Sequence, residues 1–417
     1  MIINTGCRTD IPAFYSKWLM NRIREGYVLV RNPYYKSQVT KYSLNPNLVD
    51  FLAFCTKNPE PMLQYLDKLD TVASRTNSVN TIINKNGLLI GYNTDYAGLK
   101  YLLKKNKVNI GGKTVAILGS GGVSSTVEAV LKDLNAKRIY KVSRTLKPNY
   151  LTYNKIKGKN IEVIINATPR GMSENSFHPL ISLNSINGLE TVIDLIANPL
   201  NTFLLQEAKR LNVKAINGLD MLIEQARLAE ELFQNTKISQ TKNETIYKNV
   251  LYKYLNISLI GMPYSGKSTI GFNLSQVLNK DFTDLDMLIE ASTGLQINKF
   301  INRHGEKAFR REEHKMLKLL SFQNGEIISC GGGVILDELN MLLLKQNSII
   351  VYLKRDIDLI EFDSSRPLSS NKESYLKLLK EREKLYEMYA DIIVENNKTI
   401  EEVVLEIARK YYEIASY

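Results

Sequence analysis

The chain has few of the residues from which disulfide frameworks and metal centres are built. Its 417 residues include three cysteines and three histidines, and neither set has the short spacing that such sites require. These residues are Cys7, Cys55, Cys330, His178, His304 and His314. The sequence also lacks a run of about 18 apolar residues and a basic leader followed by an apolar one. We therefore expect a cytoplasmic protein with no membrane partner.

Basic residues are in excess but are not grouped. The formal net charge is +12, yet the lysines are spread along the chain rather than gathered into the blocks that bind nucleic acid. Anionic small molecules are sufficient partners for such a charge, so we expect no nucleic-acid partner. A chain of 417 residues allows two or three domains, each large enough to bury a core.

The clearest motif is a glycine-rich segment that follows the apolar residues 255–260. It reads Gly261-Met-Pro-Tyr-Ser-Gly-Lys-Ser268, with the spacing G-x-x-x-x-G-K-S, and an amphipathic stretch follows it. This is the strand, loop and helix context that a P-loop requires. Backbone N–H groups would cradle phosphates, Lys267 would neutralise the β/γ oxygens, and the Ser268 hydroxyl would ligate Mg²⁺. The predicted nucleotide site comprises Tyr264, Ser265, Gly266, Lys267, Ser268 and Thr269.

Residues after the P-loop should bind the group that accepts the phosphate. Asp284 and Asp286 close the next short apolar segment, and their carboxylates face one way only if the chain turns there. One carboxylate could then hold Mg²⁺ through water while the other orients an acceptor hydroxyl. Further motifs follow in the order Gly305-Glu-Lys-Ala-Phe-Arg310, Gly331-Gly-Gly333, Arg366-Pro-Leu368 and Arg382-Glu-Lys-Leu-Tyr386.

This succession of motifs resembles the shikimate kinase family from about residue 256 to the C-terminus. The resemblance implies a P-loop kinase fold, ATP and Mg²⁺ as cofactors, and shikimate as the small-molecule substrate. It puts Asp286 on the ring hydroxyls of shikimate and Asp284 near the metal. Arg310 and Arg382 would clamp the shikimate carboxylate, a task for which a bidentate guanidinium is suited.

The resemblance also assigns the glycine turn and a lid. Gly331, Gly332 and Gly333, with Gly332 foremost, would bring the backbone close to the shikimate ring, and Arg366 would come down on the transferring phosphate. Members of the family carry an arginine shortly before R-P-L that stacks on adenine. This chain has Ile360-Glu-Phe-Asp-Ser-Ser365 in a shortened lid. Phe362 is therefore a candidate to stack on the adenine instead.

A second nucleotide motif lies in the middle of the chain. The apolar run Lys113-Thr-Val-Ala-Ile-Leu118 leads into Gly119-Ser-Gly-Gly-Val-Ser124, and a helical pattern follows. The next apolar stretch ends at Arg144 rather than at the acidic residue expected for NAD, which favours the 2′-phosphate of NADP. Ser124 replaces the third glycine of the G-x-G-x-x-G pattern, so a β-α-β unit that binds no ligand remains an alternative on these residues alone.

The flanking motifs resemble the shikimate dehydrogenase family over about 64–235. They are Asn77-Ser-Val-Asn80, Gly91-Tyr-Asn-Thr-Asp95, Asn166-Ala-Thr168-Pro-Arg-Gly171 and Gly218-Leu-Asp-Met221-Leu-Ile-Glu-Gln225. The resemblance implies that Asn80, Asp95 and Gln225 face shikimate, with Asp95 as half of a Lys/Asp pair that moves the hydroxyl proton. It implies an NADP site formed by Gly119, Ser120, Gly121, Gly122, Val123, Arg144, Thr168 and Met221.

The lysine of that pair is missing from its expected motif. Neither an S-x-S-P nor a V-T-x-P-x-K motif occurs in residues 1–79, and Ala197 stands where the family has the tyrosine of D-x-x-Y-N-P. Residues 1–63 instead resemble the start of a bacterial family of unknown function.

These motifs predict an α/β chain with a Rossmann-like dinucleotide-binding domain followed by a P-loop kinase domain, each built on a parallel sheet. The predicted parts are 1–63, 64–235, a polar linker 236–255, and 256–417. We expect ATP-dependent phosphorylation of shikimate on the route to chorismate and aromatic amino acids, fused to a dehydrogenase-like region impaired in catalysis. Two alternatives stay open: a bifunctional NADP-dependent dehydrogenase/kinase, and a kinase with a non-catalytic nucleotide-binding or scaffold region.

Overall fold

The computed structural model describes residues 63, 66–145, 147–172, 180–362 and 371–415. The predicted segment 1–63, apart from Leu63, lies outside these ranges, as do Cys7, Cys55, His178 and Arg366. The chain divides into two compact units: Met1–Gly171, His178–Ala197 and Leu204–Tyr247 form unit 1, and Met172–Phe177, Asn198–Phe203 and Lys248–Tyr417 form unit 2.

Unit 1 is built on a five-stranded parallel sheet. Its strands, in the spatial order β5-β4-β6-β7-β8, are β4 (Thr114–Leu118), β5 (Arg138–Val142), β6 (Val163–Asn166), β7 (Thr191–Asp194) and β8 (Lys214–Asn217). Strands β6 and β7 are buried along their whole length, because apolar clusters cover both faces of the sheet. This explains the continuous apolar runs in the sequence and confirms the predicted dinucleotide-binding fold.

A smaller three-stranded sheet precedes it, with the order β1-β3-β2. Its strands are β1 (Lys68–Leu69), β2 (Thr81–Lys85) and β3 (Leu88–Tyr92). The helices of unit 1 are α1 (Thr71–Thr76), α2 (Asp95–Lys105), α3 (Gly122–Asp133), α4 (Tyr153–Ile156), α5 (Phe203–Arg210) and α6 (Leu219–Gln234).

Helices α2 and α6 pack closely at Gly98. A Cβ on Gly98 would lie 2.7 Å from the Met221 carbonyl oxygen, so no larger residue fits without moving a helix. The contact brings the N-terminus of α2, where Asp95 lies, beside the residues of α6 that include Gln225.

Unit 2 contains a second five-stranded parallel sheet, with the order β10-β11-β9-β12-β13. Its strands are β9 (Asn256–Ile260), β10 (Asp281–Asp284), β11 (Glu326–Ser329), β12 (Ser348–Lys354) and β13 (Ile392–Glu395). The helices are α8 (Lys267–Leu278), α9 (Leu285–Thr293), α10 (Ile297–His304), α11 (Glu306–Leu320), α12 (Glu338–Leu344), α13 (Lys372–Tyr389) and α14 (Ile400–Ala415). Apolar clusters again cover both faces, which confirms the predicted parallel P-loop fold.

Both sheets reverse their strand order beside their first strand. In unit 1, β4 lies between β5 and β6, and in unit 2, β9 lies between β11 and β12. In open α/β sheets, ligands bind at the carboxyl ends of the strands where the order reverses. Both glycine motifs follow these first strands directly, so each lies at such a position.

Most of the predicted linker is helical rather than irregular. Helix α7 spans Lys242–Tyr254, and Asn243 is 1% exposed and donates to the Glu224 carboxylate. The sequence lacks a clear apolar period here because polar contacts, more than apolar packing, hold the start of this helix.

Among the helices that the structure describes, none combines the length and the apolar character needed to cross a membrane.

Candidate active site and nucleotide sites

The P-loop joins β9 to helix α8. Gly266 is the N-cap of α8 with φ of +83°, and no side chain caps the helix. A helix N-terminus without a side-chain cap is a position that attracts an anion. A Cβ on Gly266 would lie 2.5 Å from Asn396 Nδ2. Both the backbone angle and the space therefore require glycine at this position.

Lys267 is folded into the loop. Its side chain is 8% exposed, and Nζ donates to the Gly261 and Met262 carbonyls at 3.0 and 2.8 Å. These contacts hold the ammonium against the P-loop, and Lys267 lines the cavity there. The sequence predicts that it binds phosphate at this position.

The two predicted carboxylates lie where β10 meets helix α9: Asp284 ends the strand, and Asp286 is in the first turn of the helix. Asp284 caps helix α9, with Oδ1 accepting from the Asp286 N–H at 3.0 Å, and its Oδ2 accepts from Ser268 Oγ at 2.6 Å. The chain turns at Asp284, as the predicted pairing of the carboxylates requires. A hydroxyl and a carboxylate at this distance are oxygen donors that suit Mg²⁺. In the described ranges, no group of three or more His, Cys, Asp and Glu side chains could hold a metal, so water and phosphate oxygens would supply the remaining ligands of an Mg²⁺ ion.

A single cavity of about 1280 Å³ contains both halves of the predicted kinase site. Its lining includes the P-loop and the acceptor residues, namely Tyr264, Gly266, Lys267, Ser268, Thr269, Asp284, Asp286, Arg310, Gly331, Gly332, Gly333 and Arg382. Ser265, which was also predicted, is 1% exposed and does not line the cavity; its carbonyl accepts from Asn396 Nδ2 at 2.9 Å.

The three glycines after β11 make room for the acceptor residues. A Cβ on Gly331 would lie 2.9 Å from Asp286 Oδ1, and one on Gly333 would lie 2.7 Å from Arg310 Cζ. A Cβ on Gly332 would lie 3.1 Å from Pro263 Cδ of the P-loop. None of the three has a positive φ, so the need for glycine is one of space and not of backbone angle.

The two predicted carboxylate-binding arginines are held by different partners. Arg310 pairs with Glu313 at 2.9 Å and with Glu306 at 3.2 Å. Arg382 is 7% exposed and donates from Nη1 to the Gly332 carbonyl at 3.1 Å. Tyr386 Oη donates to the same carbonyl, so the glycine turn and helix α13 are fixed together.

Sequence reasoning assigned no role to Glu313. Its side chain is fully buried, and burial raises the pKa of the Glu313 carboxyl while the Arg310 ion pair lowers it, with a net increase. Glu313 lies three residues after Arg310, and on a helix this spacing indicates an ion pair between the two side chains. Arg355 and Asn396 lie beside Gly266, and no sequence pattern indicates this. They follow two different strands, β12 and β13, which are brought to the P-loop by the strand order of the sheet.

Phe362 packs on the apolar core of unit 2. Its ring lies edge-on against Tyr264 and Tyr375, with centroids 5.7 Å apart in both pairs. Phe362 is not part of the cavity lining, whereas its neighbour Glu361 is. Stacking of Phe362 on adenine stays a prediction. Arg366, the predicted lid cation, lies outside the described residues.

In unit 1, the glycine motif connects β4 to helix α3. Gly119 has φ of +119°, and a Cβ there would lie 3.0 Å from the Ala167 carbonyl oxygen. Gly121 is the N-cap of α3, which has no side-chain cap, so its first N–H groups, beginning with Gly122 and Val123, are available to phosphate. Ser124, in place of the third glycine, donates to the Gly119 carbonyl at 2.9 Å and so closes the turn.

The remaining predicted NADP residues follow the neighbouring strands. Arg144 comes two residues after β5, and Thr168 comes two residues after β6. Lys147 Nζ donates to Ser120 Oγ at 3.0 Å, which adds a cation that the sequence interpretation omitted. Met221 is buried in α6 and packs in the apolar cluster that also contains Leu99 and Val115.

The three predicted dehydrogenase substrate residues lie together. Asn80 Nδ2 is 3.3 Å from Gln225 Oε1 and 3.0 Å from Thr94 Oγ1, and Asp95 follows Thr94 at the start of α2. Burial raises the pKa of the Asp95 carboxyl to about 6, and the Asn80 amide lowers it. Among the described residues no cation contributes to this pKa, so burial outweighs the single polar contact.

Comparison with known proteins covers all three parts of the chain. Residues 263–412 match the family model "Shikimate kinase", and residues 2–94 match "Domain of unknown function (DUF1848)". The second match confirms the N-terminal resemblance but extends beyond residue 63. The shikimate dehydrogenase (NADP(+)) of Clostridium perfringens is 34% identical over 206 residues, which cover 47% of this chain and 76% of the relative.

Two solved structures are similar to different parts of this chain. Shikimate dehydrogenase 1 from Peptoclostridium difficile is 33% identical and covers 46% of this chain and 73% of its own, with a TM-score of 0.43. Shikimate kinase from Acinetobacter baumannii in complex with shikimate is 30% identical and covers 40% of this chain and 98% of its own, with a TM-score of 0.38. The chain belongs to the shikimate dehydrogenase family through its middle region, and that region is fused to a C-terminal shikimate kinase domain.

Proposed function

We propose that unit 2 transfers the γ-phosphate of ATP to the 3-hydroxyl of shikimate. The observation that carries this proposal is the shared cavity: Lys267 and Ser268 line it together with Asp286, Arg310 and Arg382. A phosphate donor bound on the P-loop and an acceptor bound between the arginines would therefore meet in one space.

The acceptor half has the chemistry that shikimate demands. Shikimate carries one carboxylate and three hydroxyls on a small ring, so a receptor needs a cation pair for the first and a hydrogen-bond acceptor for the others. Arg310 and Arg382 supply the cations, and the Asp286 carboxylate can accept from a ring hydroxyl. Phosphoryl transfer needs mainly positioning and charge neutralisation, which these groups provide.

The donor half has the residues for ATP and Mg²⁺. The N–H groups at the start of α8 and the Lys267 ammonium would bind the β- and γ-phosphates. Ser268 and Asp284, 2.6 Å apart, would hold the metal, whose charge offsets the charge that develops on the phosphate oxygens.

An assay of the purified full chain tests the kinase. ADP formation from MgATP should require shikimate, and ³¹P NMR should identify the product as the 3-phosphate. Quinate, which has a carboxylate and hydroxyls on a saturated ring, serves as a comparison substrate. ADP formation that is indifferent to shikimate would refute the proposal.

We further propose that unit 1 binds NADP but oxidises shikimate poorly. Asp95 lies beside Asn80 and Gln225, the other two residues of the predicted substrate site. The lysine motif of the family does not occur in residues 1–79, so proton removal from the substrate hydroxyl would lack the lysine of the expected pair, which costs on the order of 10² to 10⁴ in rate.

Two other functions for unit 1 make different predictions. A true bifunctional enzyme would reduce NADP with shikimate at a rate comparable to the kinase step, and Asp95→Asn would abolish that activity. A scaffold would bind no dinucleotide at all. Titration with NADPH, followed by its fluorescence, together with NADP reduction at saturating shikimate, separates the three functions in one preparation.

A further inference from the structure

Among the residues that the structure describes, four cationic side chains line the cavity of unit 2, and three of them have an evident structural or acceptor-binding setting. Lys267 donates to two carbonyls of the P-loop, Arg310 pairs with two glutamates, and Arg382 donates to Gly332. The fourth is Arg355, which neither the P-loop motif nor the acceptor motifs include.

Arg355 lies next to the P-loop. It directly follows β12, and its Nη1 is 3.9 Å from the position of a Cβ on Gly266. Toward the described residues, its Nη2 makes a long hydrogen bond to the Leu359 carbonyl at 3.4 Å. Within the described ranges, no carboxylate lies in ion-pair distance of its guanidinium. The side chain is half-buried, so this charge has lost part of its hydration without gaining an anion.

The backbone on both sides of Arg355 is fixed to the P-loop. The Asn396 N–H donates to the Lys354 carbonyl at 2.7 Å, and Asn396 Nδ2 donates to the Ser265 carbonyl at 2.9 Å. On the other side, Asn397 and Asp356 exchange two hydrogen bonds, of 3.0 and 2.8 Å. The loops after β12 and β13 thus form one wall with the P-loop, and Arg355 projects from a defined position.

We propose that Arg355 is a nucleotide-binding residue that takes an oxygen of the ATP polyphosphate beside Gly266. This rests on the proposed function for the identity of the ligand. The anion that the guanidinium lacks is the charge that a phosphate chain brings, and such charge-assisted hydrogen bonds are strong. Contact with phosphate is favoured over stacking on the base because Arg355 lies beside Gly266, the N-cap of α8, and a helix N-terminus attracts an anion.

Calorimetric titration of the full chain with MgATP, MgCTP and inorganic tripolyphosphate tests the proposal. Arg355→Gln should weaken the binding of all three ligands by a similar factor, roughly 5- to 20-fold. Arg355→Lys should recover part of the lost affinity. Arg409→Gln removes an equivalent charge from the exposed face of α14, where Arg409 pairs with Glu413, and should change none of the three. Melting temperatures measured beside the titrations exclude loss of folding as the cause.

Three results would overturn it. Unchanged tripolyphosphate and ATP binding in Arg355→Gln would leave the residue without a ligand. If Arg355→Gln binds MgATP more weakly but binds tripolyphosphate as the wild type does, then Arg355 contacts the base and not the phosphates. If Arg409→Gln weakens binding of the ligands as much as Arg355→Gln does, then the effect comes from the net charge of the protein and not from a contact with Arg355. Because binding is measured directly, these outcomes stay informative even if the chain shows no shikimate-dependent turnover, a result that would instead refute the kinase assignment.

Discussion

The guanidinium of Arg310 lies where a side chain on Gly333 would have to stand, with Cζ 2.7 Å from the Cβ position. The glycine turn therefore serves the acceptor site by leaving space for a cation. Gly333→Ala should displace Arg310 and raise the KM for shikimate by roughly 10-fold, with little change in the KM for ATP.

A double-variant comparison checks that mechanism. If the alanine acts by moving Arg310, then Gly333→Ala adds little to the defect of Arg310→Ala, because coupled changes are not additive. Fully additive KM effects would show that Gly333 acts through something other than Arg310.

Lys267→Ala should abolish phosphoryl transfer. Removal of one preorganised charge from such a site costs on the order of 10² or more in rate. Since Lys267 is buried and donates to two loop carbonyls, the variant should also lose up to about 2 kcal/mol of stability, which leaves it folded at 25 °C. Stopped-flow or coupled ADP assays measure the rate, and Lys315→Ala, on the exposed side of α11, is the control. Turnover like that of the wild type would remove the P-loop from the mechanism.

Arg310→Lys and Arg382→Lys should each raise the KM for shikimate by roughly 10-fold or more, with the KM for ATP nearly constant, since an ammonium cannot make the planar two-bond contact with a carboxylate. Initial rates with each substrate varied in turn provide the measurement. A matching loss of ATP affinity would reassign these arginines to phosphate.

Arg144→Ala should weaken NADP binding by roughly 10-fold and leave NAD binding unchanged, because only NADP carries the 2′-phosphate. Arg138→Ala is a matched control, since Arg138 is exposed at the opposite end of β5. Dissociation constants from NADPH and NADH fluorescence decide the question. Parallel weakening of both cofactors would mean that Arg144 does not select the phosphate.

Asp95→Asn should change how stability depends on pH. The native pKa of Asp95, about 6, is above the ordinary value of 3.8, so between these values the native state binds more protons than the unfolded state and stability falls as pH rises. Asparagine does not titrate. The melting temperature of the variant relative to the wild type should therefore increase from pH 4 to pH 6 and stay level above that. A constant difference across this range would show that the pKa is not raised.

Local sequence patterns determined much of this protein. Both glycine motifs, the apolar strands before them and the helices after them depend on residues within a few positions of each other, so the two parallel sheets could be predicted from them. The grouping of Asp286, Arg310 and Arg382, which lie far apart along the chain, was expected only from the resemblance to the shikimate kinase family. The helix in the predicted linker could not, because polar partners such as Glu224, far along the chain, hold Asn243.

Only the tertiary structure decided which side chains meet across the sheets. Arg355 and Asn396 follow different strands, and the strand order of unit 2, set by packing over the whole sheet, brings both to Gly266. Phe362 was a candidate to meet the base, and in the structure its ring packs against Tyr264 and Tyr375 and does not line the cavity. A motif specifies which chemistry is available, whereas the spatial order of strands and the competition for apolar burial decide which residues face the ligand.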